Sequence, residues 1–451
     1  MGGVRRARRA RAPLWRALPI VLGLAAAACA GGRGGEGVAA APESAPPPRP
    51  PGCRELPAGA ALQPAIDEAP DGTALCLAPG VYTAPVRLPR TLTLWGPREA
   101  VIRSKGEGTT VRLEGDGATL LGTTIDGSGG RFDLLDAAVH VSGRDARVEG
   151  VLIRNATFGI LVEKASGATV RRNEVVGDAT RPLGLRGDGI RLWETYDSRV
   201  EDNLVRHSRD MVLWYASRNR VARNRIEDGR YGAHLMYSHG NEIVGNRFTG
   251  NVTGLFVMYS RDVEIRGNVF ADSGGAAGVG LGLKESGNLR VLANLFAHNT
   301  VGLYVDTSPL WPDDRNRVQG NVFRLNSVAV SFLGRTSGNE FVGNEFRDSQ
   351  VQVEVEGRGD ARQAVWRGNA FDDYAGYDLD GDGTGDVPYE LRSLSSDLVA
   401  EAPALAFFRG TPAFALAEAI GRIVPLFEPR LVLVDPEPRM AHVAWEASRA
   451  D

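Results

Sequence analysis

Apolar and polar residues alternate with a period of two in short pieces along the central chain, for example Val263 to Ile265 and around Ile226. Each piece is bounded by Gly, Asn, Asp or Ser, the residues that most readily take the left-handed turn conformation. Aligning the x-Asn-x-(Val/Ile/Phe) units places Asn203, Asn224, Asn246, Asn268, Asn294, Asn321, Asn344 and Asn369 in one column, with successive spacings of about 21 to 27 residues. Five units read almost identically, from Gly245-Asn246-Arg247-Phe248 through Gly267-Asn268-Val269-Phe270, Gly320-Asn321-Val322-Phe323 and Gly343-Asn344-Glu345-Phe346 to Gly368-Asn369-Ala370-Phe371. A period in the low twenties built from short alternating strands predicts a solenoid. Leucine-rich repeats share the length but require leucines at fixed offsets. The pattern here predicts an all-β chain, a right-handed parallel β-helix of roughly a dozen coils, each rising about 4.8 Å. In that fold the asparagines form a stacked amide ladder and the following Phe or Val fills the core, a structural role with no catalysis attached.

The coils register on a second repeat, which runs through Gly232 to Ser238, Gly254 to Ser260, Gly280 to Ser286 and Gly302 to Ser308. Alternation sends Ala233, Leu255, Leu281 and Leu303, with Leu235, Val257, Leu283 and Val305, toward the interior. The opposite set faces outward. It ends in Lys284 and Asp306, as solvent requires, but the earlier coils offer His234, Phe256, Met236 and Met258, and the same register carried back places Trp214 and Trp193 in the methionine column. A contiguous apolar column on the outside marks a docking face for which Trp193, Trp214, Phe256 and Tyr304 are the partner-binding candidates, unless a loop or the C-terminal segment covers it. Thioether and imidazole are also the soft ligands that select Cu(I), which makes His234, Met236, His239 and Met258 a candidate copper set.

After the last repeat, Asp378, Asp380, Asp382, Thr384 and Asp386 follow the ligand spacing of a calcium loop, with Gly383 at the tight turn. Position twelve holds Tyr389 instead of the usual bidentate Glu. The alternative is an acidic turn that caps the solenoid. From Leu394 the composition shifts to Ala, Leu, Phe and Pro. Thr411-Pro412 predicts a helix start, with Phe414, Ala417, Ile420 and Val424 on one stripe, which packs either on the rod itself or on a membrane protein.

The 451 residues carry 52 basic and 55 acidic side chains, so no global basic field exists to hold nucleic acid. The N-terminus reads as an export signal, with arginines from Arg5 to Arg16, an apolar core from Leu18 to Leu24, and Ala26-Ala27-Ala28-Cys29 at the processing site. Two processings fit that site, lipidation of Cys29 and ordinary signal cleavage, and the lipoprotein is favoured. In an oxidising compartment Cys53 and Cys76 are expected to pair. The domain reading is therefore a leader over 1–29, a Gly/Ala/Pro linker over 30–52, the β-helix over 53–371, an acidic capping loop over 372–393 and an apolar docking segment over 394–451.

Four stretches together, Arg230 to Asn241, the Gly254 to Ser260 coil, Gly376 to Tyr389 and Leu431 to Met440, resemble the NosD family, periplasmic β-helix proteins that accompany an ABC transporter in maturing the copper sites of nitrous oxide reductase. The resemblance spans about residues 60 to 440. It implies a non-enzymatic role: receiving copper in the periplasm from a copper chaperone, passing it to the reductase, and coupling to a permease and its cytoplasmic ATPase. Two other classes compete. β-Helices also host polysaccharide lyases and epimerases, for which Asp188, Arg191, Glu194 and His207 are the best acid–base set in this sequence, although Asp188 reads more simply as a turn residue. A glycan-binding scaffold is the third.

Overall fold

The computed structural model describes residues 46–356, 360–408, 411–423 and 429–440. Three parallel sheets of 14, 12 and 13 strands run the length of the solenoid. Within each sheet a strand bonds to its counterpart one coil on, as Arg247–Thr249 does to Val269–Ala271. This parallel β-solenoid has about 14 turns, slightly more than the dozen predicted.

The repeat sequence builds its own interior. The side chains of Phe248, Phe270, Phe296, Phe323, Phe346 and Phe371 stack coil on coil, with ring centroids 4.7 to 5.2 Å apart and planes within 13° of parallel. Beside them runs the asparagine ladder. Asn268 donates from Nδ2 to the Ile243 carbonyl (2.8 Å) and to Asn294 Oδ1 (3.0 Å), while its own Oδ1 accepts from the backbone N–H and Nδ2 of Asn246. The same bonding begins at Asn173, one coil before the first asparagine of the aligned column. Each ladder residue follows a left-handed corner, at φ of +63° to +66° for Gly245, Gly267, Gly320, Gly343 and Gly368, which is why the Gly-Asn pair recurs. A buried backbone N–H that bends out of the sheet at a corner needs a partner, and the neighbouring amide supplies it.

The ends differ from the reading of the sequence. At the start, where only strands were expected, a short helix, Leu62–Glu68, plugs the first coil with Leu62, Ala65 and Ile66. A disulfide joins Cys53 to Cys76 across the first two coils, with Cα atoms 5.8 Å apart. The last linker residues lie on the body, since Pro47 is buried and its carbonyl accepts from the Trp95 indole at 2.9 Å. At the far end Tyr389 stacks on Phe371 at 3.8 Å and closes the aromatic column. Its strand, Tyr389–Ser393, pairs antiparallel with Arg430–Asp435. The segment assigned wholly to docking thus returns to its own rod: Val432 and Leu433 are buried, and Asp435 Oδ2 accepts from Asn369 N (3.0 Å) and Nδ2 (2.8 Å), terminating the ladder. The surface left for a partner comprises the helices Leu394–Glu401 and Pro412–Ile423 with the turn between them. There Phe414 is half-buried, Leu416 and Ile420 are exposed, and Val424 lies outside the described residues, as does Cys29. Among the described residues no helix is long and apolar enough to cross a membrane.

Candidate functional site

The 12-stranded sheet carries the outward column. Its pairing sets Trp193 beside Trp214, Trp214 beside Met236, Met236 beside Met258 and Met258 beside Lys284. All four aromatic and thioether side chains are half-buried, whereas the intervening Leu235 and Val257 are fully buried. Lys284 pairs with Asp306 at 2.9 Å, and Asp306 is largely buried, not solvated as the sequence suggested.

One column over, His234 and Phe256 are in register. His234 Nε2 stands 3.1 Å from Met258 Sδ. The imidazole stacks on Tyr231 at 5.0 Å and meets Trp214 edge-on at 5.9 Å. Burial holds its pKa below the ordinary imidazole value, Asp210 opposes that shift and Arg230 reinforces it, so the ring is kept neutral and its lone pair available for a metal. Phe256 walls the other side: it lies over Gly282, where a Cβ would stand 2.4 Å from the ring. Tyr304, two coils beyond Phe256 in the same column, is half-buried, and desolvation ahead of Glu356 and Asp306 pushes its hydroxyl up to about 12. The donor pair is thus one imidazole nitrogen and one thioether sulfur, neutral and soft, walled by rings. Such a set favours Cu(I) over harder divalent ions.

His239 is not part of this cluster. It lies past the Tyr237 corner and the inward Ser238, exposed, with Nδ1 accepting from the Arg261 N–H at 3.1 Å. Met236 is in register with Met258 but forms no polar contact with His234 among the described residues. Of the four candidate ligands, two are joined.

The sequence reading missed a corner ladder of Tyr215, Tyr237 and Tyr259. All three are left-handed, at φ of +50° to +51°, and they stack at 5.4 and 4.9 Å within 14° of parallel. Tyr215 also meets Trp193 at 5.7 Å, which joins the ladder to the tryptophans. The Tyr-Ser pair at Tyr237-Ser238 and Tyr259-Ser260 was its signal, with Tyr215-Ala216 one coil earlier as its variant.

The acid–base set of the enzyme alternative does not assemble. Asp188 is a fully buried carboxylate, not a turn residue: Arg209 bonds it at 2.7 Å and Arg191 at 3.3 Å. Arg209 continues to Asp210, which Arg230 also holds. Arg191 in turn lies over both indoles, 5.0 Å from Trp193 and 4.9 Å from Trp214. Glu194 accepts from the Trp193 indole, and His207 pairs with Asp228. These charges form a structural network under the aromatic face, and burial raises the Asp188 pKa while Arg209 opposes it.

In the acidic loop, carboxylate oxygens of Asp378, Asp380 and Asp382 lie within 4.8 Å of one another. Asp378 accepts from the Gly381 and Gly383 N–H groups, Asp382 from the Thr384 N–H, and Asp386 from the Leu379 N–H. Tyr389, at position twelve, faces the core instead.

The family model described as "Periplasmic copper-binding protein (NosD)" matches residues 175–376, a span that holds the whole column from Trp193 to Tyr304. The "Probable ABC transporter binding protein NosD" of Pseudomonas aeruginosa is 28% identical over 403 residues, covering 78% of this chain and 84% of that protein. Over these spans the chain resembles the NosD family. Its counterpart of the same description in Stutzerimonas stutzeri is 26% identical over 398 residues, 77% of this chain and 83% of that one. Among solved structures, the A-module of the Azotobacter vinelandii mannuronan C-5 epimerase AlgE4 is similar at 15% identity with a TM-score of 0.48, over 66% of this chain and 93% of that one. The catalytic unit of an α-1,3-glucanase from Streptomyces thermodiastaticus is similar at 17% identity with a TM-score of 0.48, over 73% of this chain and 65% of that one.

Proposed function

We propose that this chain belongs to the NosD family and is a periplasmic accessory protein for copper-site assembly in nitrous oxide reductase, which takes Cu(I) as transient cargo from a copper chaperone, delivers it to the reductase and works beside an ABC transporter. The observation that carries the reading is the His234 Nε2–Met258 Sδ pair at 3.1 Å on an outward aromatic face. Two neutral soft donors suit cargo that must leave again, because no thiolate locks the ion in place. Trp193, Trp214, Phe256 and Tyr304 surround the pair and form the face on which a copper donor or acceptor docks. The apolar helices over 394–423 form the contact with the permease, and a lipid on Cys29 holds the chain at the membrane. The acidic loop holds a calcium ion that firms the C-terminal cap, since the strand-forming tail bridges to Thr384 through Arg439. The test is pulldown of the exported protein from a denitrifying cell: an ABC permease in the eluate supports the reading, and activity of the purified protein on uronic-acid polymers overturns it.

A further inference from the structure

The strand that supplies His234 differs from its predecessor. Strand Asp210–Trp214 has five residues and Tyr231–Met236 has six, and their register slips between the Asp210–Tyr231 and Val212–His234 pairs. The extra residue buries both Gly232 and Ala233, so that Tyr231 and His234, three positions apart, share the outward face. Only glycine fits at 232, where a Cβ would stand 2.4 Å from the Gly254 carbonyl and 2.6 Å from the Phe248 ring. The slip is what brings the Tyr231 ring onto the imidazole, 5.0 Å away and 29° from parallel.

Tyr231 is itself clamped. The Arg230 guanidinium lies 5.0 Å over its ring and donates from Nε and Nη2 to the two carboxylate oxygens of Asp210, while the Tyr231 N–H donates to Asp210 Oδ1 at 3.1 Å. Phe256 meets the ring edge-on at 6.1 Å. An imidazole with a free χ2 rotation presents Nε2 to Met258 only part of the time, and a ring fixed against one of its faces removes that freedom.

Resting on the copper reading above, we propose that Tyr231, locked by the Asp210–Arg230 pair, is a positioning residue that holds the His234 imidazole with Nε2 on the Met258 sulfur and thereby sets the affinity for Cu(I). Tyr231 touches no metal in this scheme. Outer partners that orient a histidine ligand are worth about tenfold to a hundredfold in metal affinity.

The experiment uses the mature exported chain, Cu(I) alone as the probe, anaerobic competition against a colorimetric chelator, and copper K-edge X-ray absorption of the loaded protein. Tyr231→Phe, which keeps the ring, is expected to bind as the unaltered protein does, with the same nitrogen-plus-sulfur scattering. Tyr231→Leu, which fills the space without a ring, is expected to lose about tenfold or more and to lose the mixed scattering. Arg230→Gln leaves the ring in place and removes its clamp, so it is expected to fall between the two, and it serves should Tyr231→Leu fail to fold. Unchanged affinity and scattering in both Tyr231→Leu and Arg230→Gln, while His234→Ala and Met258→Ala lose Cu(I), would overturn the positioning role and leave the copper reading standing. Unchanged binding in His234→Ala and Met258→Ala would overturn both.

Discussion

Replacing Asn268 by alanine tests whether the amide ladder, and not aromatic stacking alone, holds the coils in register. The substitution deletes two donated bonds, to the Ile243 carbonyl and to Asn294 Oδ1, and two accepted ones, from Asn246 N and Nδ2. Asn268 is fully buried, so water cannot replace these partners. Three groups are left wanting: the Ile243 carbonyl, the Asn246 N–H and one Asn246 amide hydrogen. At about 1–3 kcal/mol for each buried group left unpaired, the expected loss is about 3–6 kcal/mol, allowing for partial relaxation. Urea unfolding followed by circular dichroism measures it, with Glu340→Ala on the exterior of the same solenoid as the control, expected within about 0.5 kcal/mol of the unaltered protein. A loss below about 1 kcal/mol for Asn268→Ala would refute the idea that the ladder is an obligatory set of bonds, and would shift the explanation of the Gly-Asn repeat to the left-handed corner alone.

Three further outcomes follow from the geometry. The folded state holds the His234 pKa below its ordinary value, so between that lowered value and about 6.5 the unfolded chain binds the extra proton, and stability is lost as pH falls through this window and is fully present above it; His234→Phe is expected to flatten the difference in urea midpoint between pH 7.5 and pH 5.5, and equal losses in the two proteins would count against the buried neutral ring. Gly282→Leu drives a side chain into the Phe256 ring and is expected to weaken Cu(I) binding with little change in melting temperature, whereas unaltered binding would remove Phe256 from the wall of the site. If the acidic loop holds calcium, adding Ca²⁺ raises the thermal midpoint of the unaltered protein and not of Asp380→Asn, and an equal rise in both would assign the loop to capping alone.

What the sequence made legible is what repeats. Contacts in a solenoid fall one coil away, so Asn246 meets Asn268 and Met236 meets Met258 because the same offset recurs, and a single register exposes every column at once. Non-repeating parts escaped for the complementary reason. Asp435 reaches Asn369 across 66 residues, a pairing no local period encodes, and the helix Leu62–Glu68 is a one-time plug. Asp188 sits in a Gly-Asp-Gly stretch that reads as a turn, but the arginines that pair with it come from the next coil and from the strand that follows it, so its environment is largely tertiary. His239 shares a short stretch with His234, yet the Tyr237 corner turns the chain and separates them. The slip that seats Tyr231 against His234 is visible only when two strand lengths are compared.

If His234 and Met258 bind Cu(I), anaerobic titration of the mature exported chain against a competing chelator gives stoichiometric binding that is lost in both His234→Ala and Met258→Ala. No binding, or binding indifferent to both substitutions, makes the face a docking platform whose partners carry the metal.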